Sequence, residues 1–203
     1  MKFIKVFLTI SLCIFALLGD YIVFKSKYSS SFPFRALSDS VVHAGVGLFS
    51  SLLFFTRDHS LTSNVCIYNV TLCTIASSVI DIDHFFVAKS IYLKDLSGLN
   101  QRGVFHCTTF WLLLTTILLS YTYFYKHVDA YISTWMLVVA FTSHHIRDAN
   151  RRGLWCCPFG HTPPLPTNLY ITLLATLPHL FSVMCAFMRP VIVKPSFDYS
   201  LIV

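Results

Sequence analysis

The run Ala130-Tyr131-Ile132-Ser133-Thr134-Trp135-Met136-Leu137-Val138-Val139-Ala140-Phe141-Thr142-Ser143-His144-His145-Ile146-Arg147-Asp148 decides how this chain is read. Most of it is apolar, and a bilayer core takes about 20 such residues as a helix. It then ends abruptly in imidazoles, a guanidinium and a carboxylate. The same pattern recurs along the chain: His43 opens one apolar stretch, Asp81, Asp83 and His84 close another, and His106 opens a further one. A charge at the bilayer centre costs roughly 2.5–3.5 kcal/mol on insertion scales, so ionisable residues at span ends need partners. Carboxylates and imidazoles together form the donor set of a divalent metal, and a shared ion would be such a partner.

The bulk properties agree with a membrane chain. Of 203 residues 55% are hydrophobic and 12% charged, with a mean hydropathy of +0.66, whereas a soluble domain is about 25% charged. Six stretches read as spans, at about residues 3–24, 40–56, 65–88, 104–125, 130–147 and 168–188. The expected fold is therefore all-α, a multi-pass helical membrane bundle of about six transmembrane helices, with residues 1–203 forming a single integral membrane domain. The N-terminal run lacks a small-x-small cleavage site near Ala16 to Asp20 and reads as an uncleaved first span. The lipid bilayer is the expected partner. The net charge of +6 is scattered through short loops, with no basic run dense enough for nucleic acid. The sequence names no protein partner and no organelle.

Six spans put the loops 25–39, 89–103 and 148–167 on one side, and every His/Asp group named above borders those loops. Lys25, Lys27, Arg35, Lys89, Lys94, Arg102, Arg147, Arg151 and Arg152 lie on that side, against Lys2, Lys5, Arg57, Lys126, Arg189 and Lys194 opposite. This bias argues for a cytoplasmic motif side. Setting aside Arg102 and Arg147, which can be there for chemistry, almost removes it. The opposite side carries its own acid–imidazole pairs, Asp58-His59 and His127 with Asp129, in short loops where solvation explains them.

His144 and Asp148 are four apart on a helix end and share a face, as do Asp81 and His84, three apart, if that span stays helical. Carboxylate–imidazole pairs at that spacing build metal sites in helical bundles. One carboxylate of the Asp81/Asp83 pair can bind metal while the other orients a histidine through its free N–H. A cap with a local ion pair is the commoner explanation of any single pair. Four groups facing one loop layer favour a metal. His145 points about 100° away from His144 and is left unassigned. Asp39 reads as a helix N-cap. Asp20 is a lone acid that pairs with Arg or His or caps the bundle. Asn69-Val70-Thr71 matches a glycosylation sequon inside an apolar span, where modification is not expected. The seven cysteines have irregular spacing and no C-x-x-C pair, so neither a zinc finger nor a disulfide framework is indicated. The loop Ala149–Pro166 carries Pro163, Pro164 and Pro166 and reads either as a lid over the site or as a stiff turn with Trp155 as an interfacial anchor.

Val79-Ile80-Asp81-Ile82-Asp83-His84, Gln101-Arg102-Gly103-Val104-Phe105-His106 and Ser143-His144 with Asp148 resemble the signature of bacterial inner-membrane proteins assigned as metal-dependent hydrolases, with His43 as their early His. The match covers residues 43 to 148, about half the chain. Ile80, Gln101 and Phe105 depart from that pattern, standing where it has Pro, His and Thr. A neutral amide is a poor zinc ligand, so Gln101 weighs against a complete catalytic site. A closer resemblance, over nearly the whole chain, is to the animal transmembrane protein 267 family. It is carried by Arg35-Ala36-Leu37-Ser38-Asp39, Asp81-Ile82-Asp83-His84-Phe85-Phe86, Thr142-Ser143-His144-His145-Ile146-Arg147-Asp148, Gly153-Leu154-Trp155, Cys157-Pro158-Phe159-Gly160 and Pro164-Leu165-Pro166. It implies a multi-pass membrane location and no particular activity.

The functional expectation is a metal-dependent hydrolase of an ester or lipid-like substrate. The ligand pool is His43, Asp83, His84, His106, His144 and Asp148; the metal is divalent, zinc by its mixed donors; Asp81 acts as base and Arg102 stabilises charge. The alternative is a non-catalytic membrane protein retaining a structural metal or polar network. A transporter ranks third, because its ionisable residues would run through the depth of the bundle rather than crowd one face.

Overall fold

A computed structural model describes residues 2–96 and 102–189. These form seven α-helices and no strand: α1 (Lys2–Lys25), α2 (Phe32–Phe54), α3 (Ser63–Val79), α4 (Asp83–Ala88), α5 (Thr108–Phe124), α6 (Val128–Arg152) and α7 (Thr167–Phe187). A 3-10 turn over Ile80–Ile82 joins α3 to α4, another spans Leu93–Leu96, and a third over Val104–His106 leads into α5. The chain thus makes six helical passes, as its hydropathy predicts. Four of them, α1, α2, the α3–α4 pair and α7, are long and apolar enough to cross a membrane by length and composition, while α5, at 17 residues, is shorter.

The central helix is α6. It packs against α2, α3, α5 and α7, and 15 of its 25 residues are buried. Shielded by other helices, α6 can carry polar residues that a lipid-facing helix cannot. Its first half builds one apolar cluster, in which Tyr131, Ile132, Trp135, Met136 and Val139 meet Phe54, Cys73 and Cys185. A second cluster lies among α1, α2 and α7, with Leu12, Ala16, Val42, Val46, Tyr170 and Leu174 around Ile146. Outward faces such as Ile10, Ile14 and Leu18 on α1 and Leu112, Leu113 and Ile117 on α5 are exposed and apolar, as a bilayer requires.

Lipid tails are as apolar as leucine, so helix association rests on close packing and interhelical hydrogen bonds. Tyr131 Oη donates to the Cys185 carbonyl at 3.1 Å, Ser182 Oγ to the Phe54 carbonyl at 2.7 Å, and Ser133 Oγ to Asn69 Oδ1 at 3.1 Å. Asn69 is fully buried, which puts its amide out of reach of a glycan. At the α2–α3 crossing a Cβ on Gly47 would collide with the Ser77 side chain and lie 3.2 Å from the Cys73 carbonyl. Gly47→Val is therefore expected to cost about 1–3 kcal/mol. Thermal unfolding in detergent would show this, and a wild-type melting temperature would mean that the two helices are not locked there.

Two boundaries differ from expectation. α2 begins at Phe32 rather than near residue 40, with Pro33 in its first turn. Hydropathy read Arg35, Ser38 and Asp39 as loop, but proline suits a first turn, where its missing N–H is not needed. Asp39 is accordingly no N-cap: Ser31 holds that position and Asp39 lies within the helix. α6 runs on to Arg152, five residues past its apolar stretch, because the polar end faces the bundle interior. It stops at Gly153, whose φ of +71° and contact with the Thr162 carbonyl leave no room for a side chain.

Of the two readings of the loop after α6, the geometry matches the stiff turn. Trp155 bridges both Cys107 and His161, and the Thr108 amide donates to the Trp155 carbonyl at 2.8 Å. All seven cysteines are free.

Candidate metal centre

Five elements bring the predicted residues together at one end of the bundle. α2 supplies His43, the turn after α3 supplies Asp81, α4 supplies Asp83 and His84, the turn before α5 supplies His106, and α6 supplies His144 and Asp148. His43, Asp81, His144 and Asp148 each place one donor atom within 4.8 Å of the others, and Asp81, His84 and His106 form a second such group. Asp81 belongs to both.

Within the first group the His43 and His144 rings stack with centroids 3.7 Å apart. His43 Nε2 lies 3.5 Å from Asp148 Oδ1 and 3.8 Å from Asp81 Oδ2. His144 Nε2 lies 3.7 Å from Asp81 Oδ1 and 3.8 Å from Asp148 Oδ2. His106 Nε2 enters the same space, 3.3 Å from Asp81 Oδ1 and 3.5 Å from Asp148 Oδ2. Local geometry explains the α6 pair: residues four apart on a helix share a face.

The outward ring nitrogens are held as metal-binding histidines require. His144 Nδ1 donates to the Ser77 carbonyl at 2.8 Å, and His106 Nδ1 donates to Asp83 at 3.0 Å. In each case the remaining Nε2 is turned into the cluster, the arrangement that fixes tautomer and ring plane in metal sites. Asp83 thus lies behind His106 rather than among the inward-facing donors. It also lies 3.2 Å from His84 Nδ1, which donates to the Asp81 carbonyl at 3.1 Å at the cluster edge. Of the Asp81/Asp83 pair, Asp81 is the one that points into the cluster.

His106 precedes α5, and its ring nitrogens lie 3.0–3.5 Å from the carboxylates of Asp83, Asp81 and Asp148.

Several placements were not legible from the motifs. The Arg102 guanidinium, expected to stabilise reacting charge, donates to the Gly153 and Arg152 carbonyls at 2.9 and 3.0 Å. Its contacts tie the segment before α5 to the end of α6. Gln101 lies outside the described residues. His145, left unassigned from sequence, is buried and donates to the Phe105 carbonyl at 3.0 Å, a carbonyl that also accepts from Trp111 Nε1 at 2.6 Å. These two bonds set the backbone that carries His106. Arg147 is 1% exposed. Its Nε donates to Asp20 Oδ1 at 2.9 Å, and its Nη2 lies 2.7 Å from Asp39 Oδ1. Tyr170 Oη completes this lock by donating to Asp20 Oδ2 at 2.9 Å, joining α1, α2, α6 and α7. A guanidinium among the apolar spans was the available signal, since such a residue must find carboxylates.

These features define a class: an integral membrane helical bundle with a buried His/Asp cluster at one end. Comparison with known proteins makes this specific. Transmembrane protein 267 of Danio rerio is 39% identical over 189 residues, covering 89% of this chain and 83% of that protein. The mouse protein of the same name, from Mus musculus, is 37% identical over 176 residues, covering 86% and 80%. That of Xenopus laevis is 40% identical over 154 residues, covering 74% and 69%. The chain belongs to the transmembrane protein 267 family. No family model matches the chain, and no solved structure matches it. The further likeness to bacterial hydrolases rests on the motifs alone.

Proposed function

We propose that the cluster holds one or two divalent metal ions, most simply zinc, and that the protein is a metal-dependent hydrolase acting on an ester or lipid-like substrate at one membrane face. The observation that supports this most is His43. Its ring is 1% exposed, yet neither ring nitrogen has a hydrogen-bond partner. A buried polar group without a partner is costly, and a cation is the partner that its neighbours Asp81, Asp148 and His144 are equipped to share. Mixed imidazole and carboxylate donors suit zinc.

In this reading His43, His144, Asp81 and Asp148 hold the ion, and His106 and His84 share Asp81 with it or with a second ion. Asp83 keeps His106 turned inward, and Ser77 does the same for His144. When bound, such an ion supplies Lewis acidity, lowering the pKa of a water toward about 7 and polarising an ester oxygen. Asp81 and Asp148 stand where a proton taken from water can be held.

A second reading, a non-catalytic protein with a self-satisfied polar network, has its own observation. His106 lies within 3.0–3.5 Å of three carboxylates, Asp83, Asp81 and Asp148, and can balance part of their charge without an ion.

Elemental analysis of protein purified in detergent without chelator separates the two. The expected result is at least one divalent ion per chain. His144→Ala and His84→Ala should each lower affinity by at least about tenfold, the scale seen even for residues behind the ligands, while still inserting into the membrane. Folded wild-type protein without metal would remove the proposal.

A further inference from the structure

A cavity of about 400 Å³ opens beside the cluster, between α2, α4 and the end of α6, and Asp81, His84 and Asp148 lie in its wall. That volume is in the range of sites for small ligands. Three properties of its lining identify the occupant.

The first is its apolar side. Phe24, Phe32, Leu37, Phe85 and Leu93 line it. Phe32 and Leu37 are also exposed on the outer surface of the bundle, at 44% and 69%. The apolar wall therefore continues out of the cavity onto the exposed surface, where an acyl chain can follow it.

The second is its charge. Arg35, Arg151 and Arg152 line the cavity together with the carboxylates Asp39, Asp81 and Asp148. Arg151 is already engaged: it lies 3.0 Å from Asp148 Oδ1 and 3.9 Å from Asp39 Oδ2, with its guanidinium 3.7 Å over the Phe24 ring. Arg35 and Arg152 have no ion pair among the described residues. Their guanidiniums are therefore available to an anionic ligand. A phosphomonoester carries about −1.5 to −2 near neutral pH, and the planar guanidinium fork matches phosphate oxygens.

The third is position. The carboxylates and His84 lie deeper than Arg152, which is exposed. A phosphate held by Arg35 and Arg152 would thus share one cavity with Asp81, His84 and Asp148 of the His/Asp cluster and with the rings and Leu37 of the apolar side.

We infer that this cavity takes a lipid bearing a terminal phosphomonoester, entering from the bilayer through the Phe32–Leu37 side. The inference rests on the hydrolase reading for its chemistry but not for binding. Hydrolysis of such a lipid would add the oxygen of one water to phosphorus and break the phosphorus–oxygen bond to the lipid alcohol. One water proton would go to the departing alcohol, and the other would remain on inorganic phosphate.

The test is displacement of fluorescently labelled phosphatidic acid from the full-length protein in detergent, read by anisotropy with and without EDTA. Competitors are dioleoyl phosphatidic acid, dioleoylglycerol and inorganic phosphate. Phosphatidic acid should compete at least about tenfold better than either of the others. The double variant Arg35→Ala/Arg152→Ala, at an unchanged melting temperature, should bind it at least about tenfold more weakly. Inorganic phosphate competing as well as the lipid would assign the cavity to free phosphate and overturn the inference. Dioleoylglycerol competing as well as phosphatidic acid would overturn it on wild-type protein alone, whether or not the variant folds. Arginine-dependent lipid binding by a protein without metal or turnover would uphold this inference while removing the hydrolase. Metal and turnover with arginine-independent binding would do the reverse.

Discussion

Asp81→Asn should lower turnover of any ester the protein hydrolyses by about 10²–10⁴-fold, the contribution of a positioned acid–base group. The expectation follows from where the carboxylate sits. Its Oδ1 lies 3.3 Å from His106 Nε2 and 3.7 Å from both His144 Nε2 and His84 Nδ1, and its Oδ2 lies 3.8 Å from His43 Nε2. Among the described residues no other belongs to both donor groups. The amide is nearly isosteric, so helix packing should survive. It is also uncharged: it can neither take up a proton nor balance a cation as the carboxylate does. His43, His144 and Asp148 remain to hold an ion, so metal content should fall less than turnover. Metal content, melting temperature and hydrolysis of a panel of phosphate and carboxylic esters should be measured on one preparation. An inert wild type, with a variant that merely loses metal and stability in step, would establish the scaffold instead.

Arg147→Met should destabilise the folded protein by about 3–5 kcal/mol, the scale for removing one member of a buried ion pair, or a drop of about 10 °C in melting temperature. Methionine keeps much of the aliphatic volume, so the loss isolates the charge. Without the guanidinium, Asp20 and Asp39 would face each other across α1 and α2 with Tyr170 as the remaining donor to Asp20. Asp39 also lies 4.0 Å from His43, so the His/Asp cluster should loosen along with the lock. The companion Asp20→Asn/Asp39→Asn/Arg147→Met should recover much of the lost stability, because it removes the uncompensated charge as well as the pair. Unfolding of Arg147→Met at the wild-type temperature would show that the four helices are held by packing alone.

Much of the cluster was legible before any coordinates. His43, Asp81, His84, His106, His144 and Asp148 each stand at the end of an apolar run, where an ionisable residue is too costly to be incidental. Their roles were less legible. Nothing in Asp-x-Asp-His says which aspartate faces inward. That depends on the 3-10 turn at Ile80–Ile82, which rotates Asp81 toward α2 and α6 and puts Asp83 behind His106. The use of Arg102 was hidden for a similar reason: its acceptors are carbonyls about 50 residues away, and a backbone acceptor leaves no mark in a side-chain motif.

Composition and hydropathy by themselves determined that this is a membrane-spanning all-α protein with six passes and one polar end, because the bilayer imposes helix length and excludes unpaired charge wherever the chain meets lipid. Those rules act locally and can be read locally. Only the tertiary structure decided that α6 is the shielded centre, that Asp39 belongs to Arg147 rather than to a helix cap, that His145 supports the His106 turn, and that a cavity lined by arginines, aspartates and apolar side chains opens beside the cluster. Each of these depends on which helix lies against which. That choice is made by close contacts such as Gly47 on Ser77 and by ion pairs between residues far apart in the chain, such as Asp20 with Arg147.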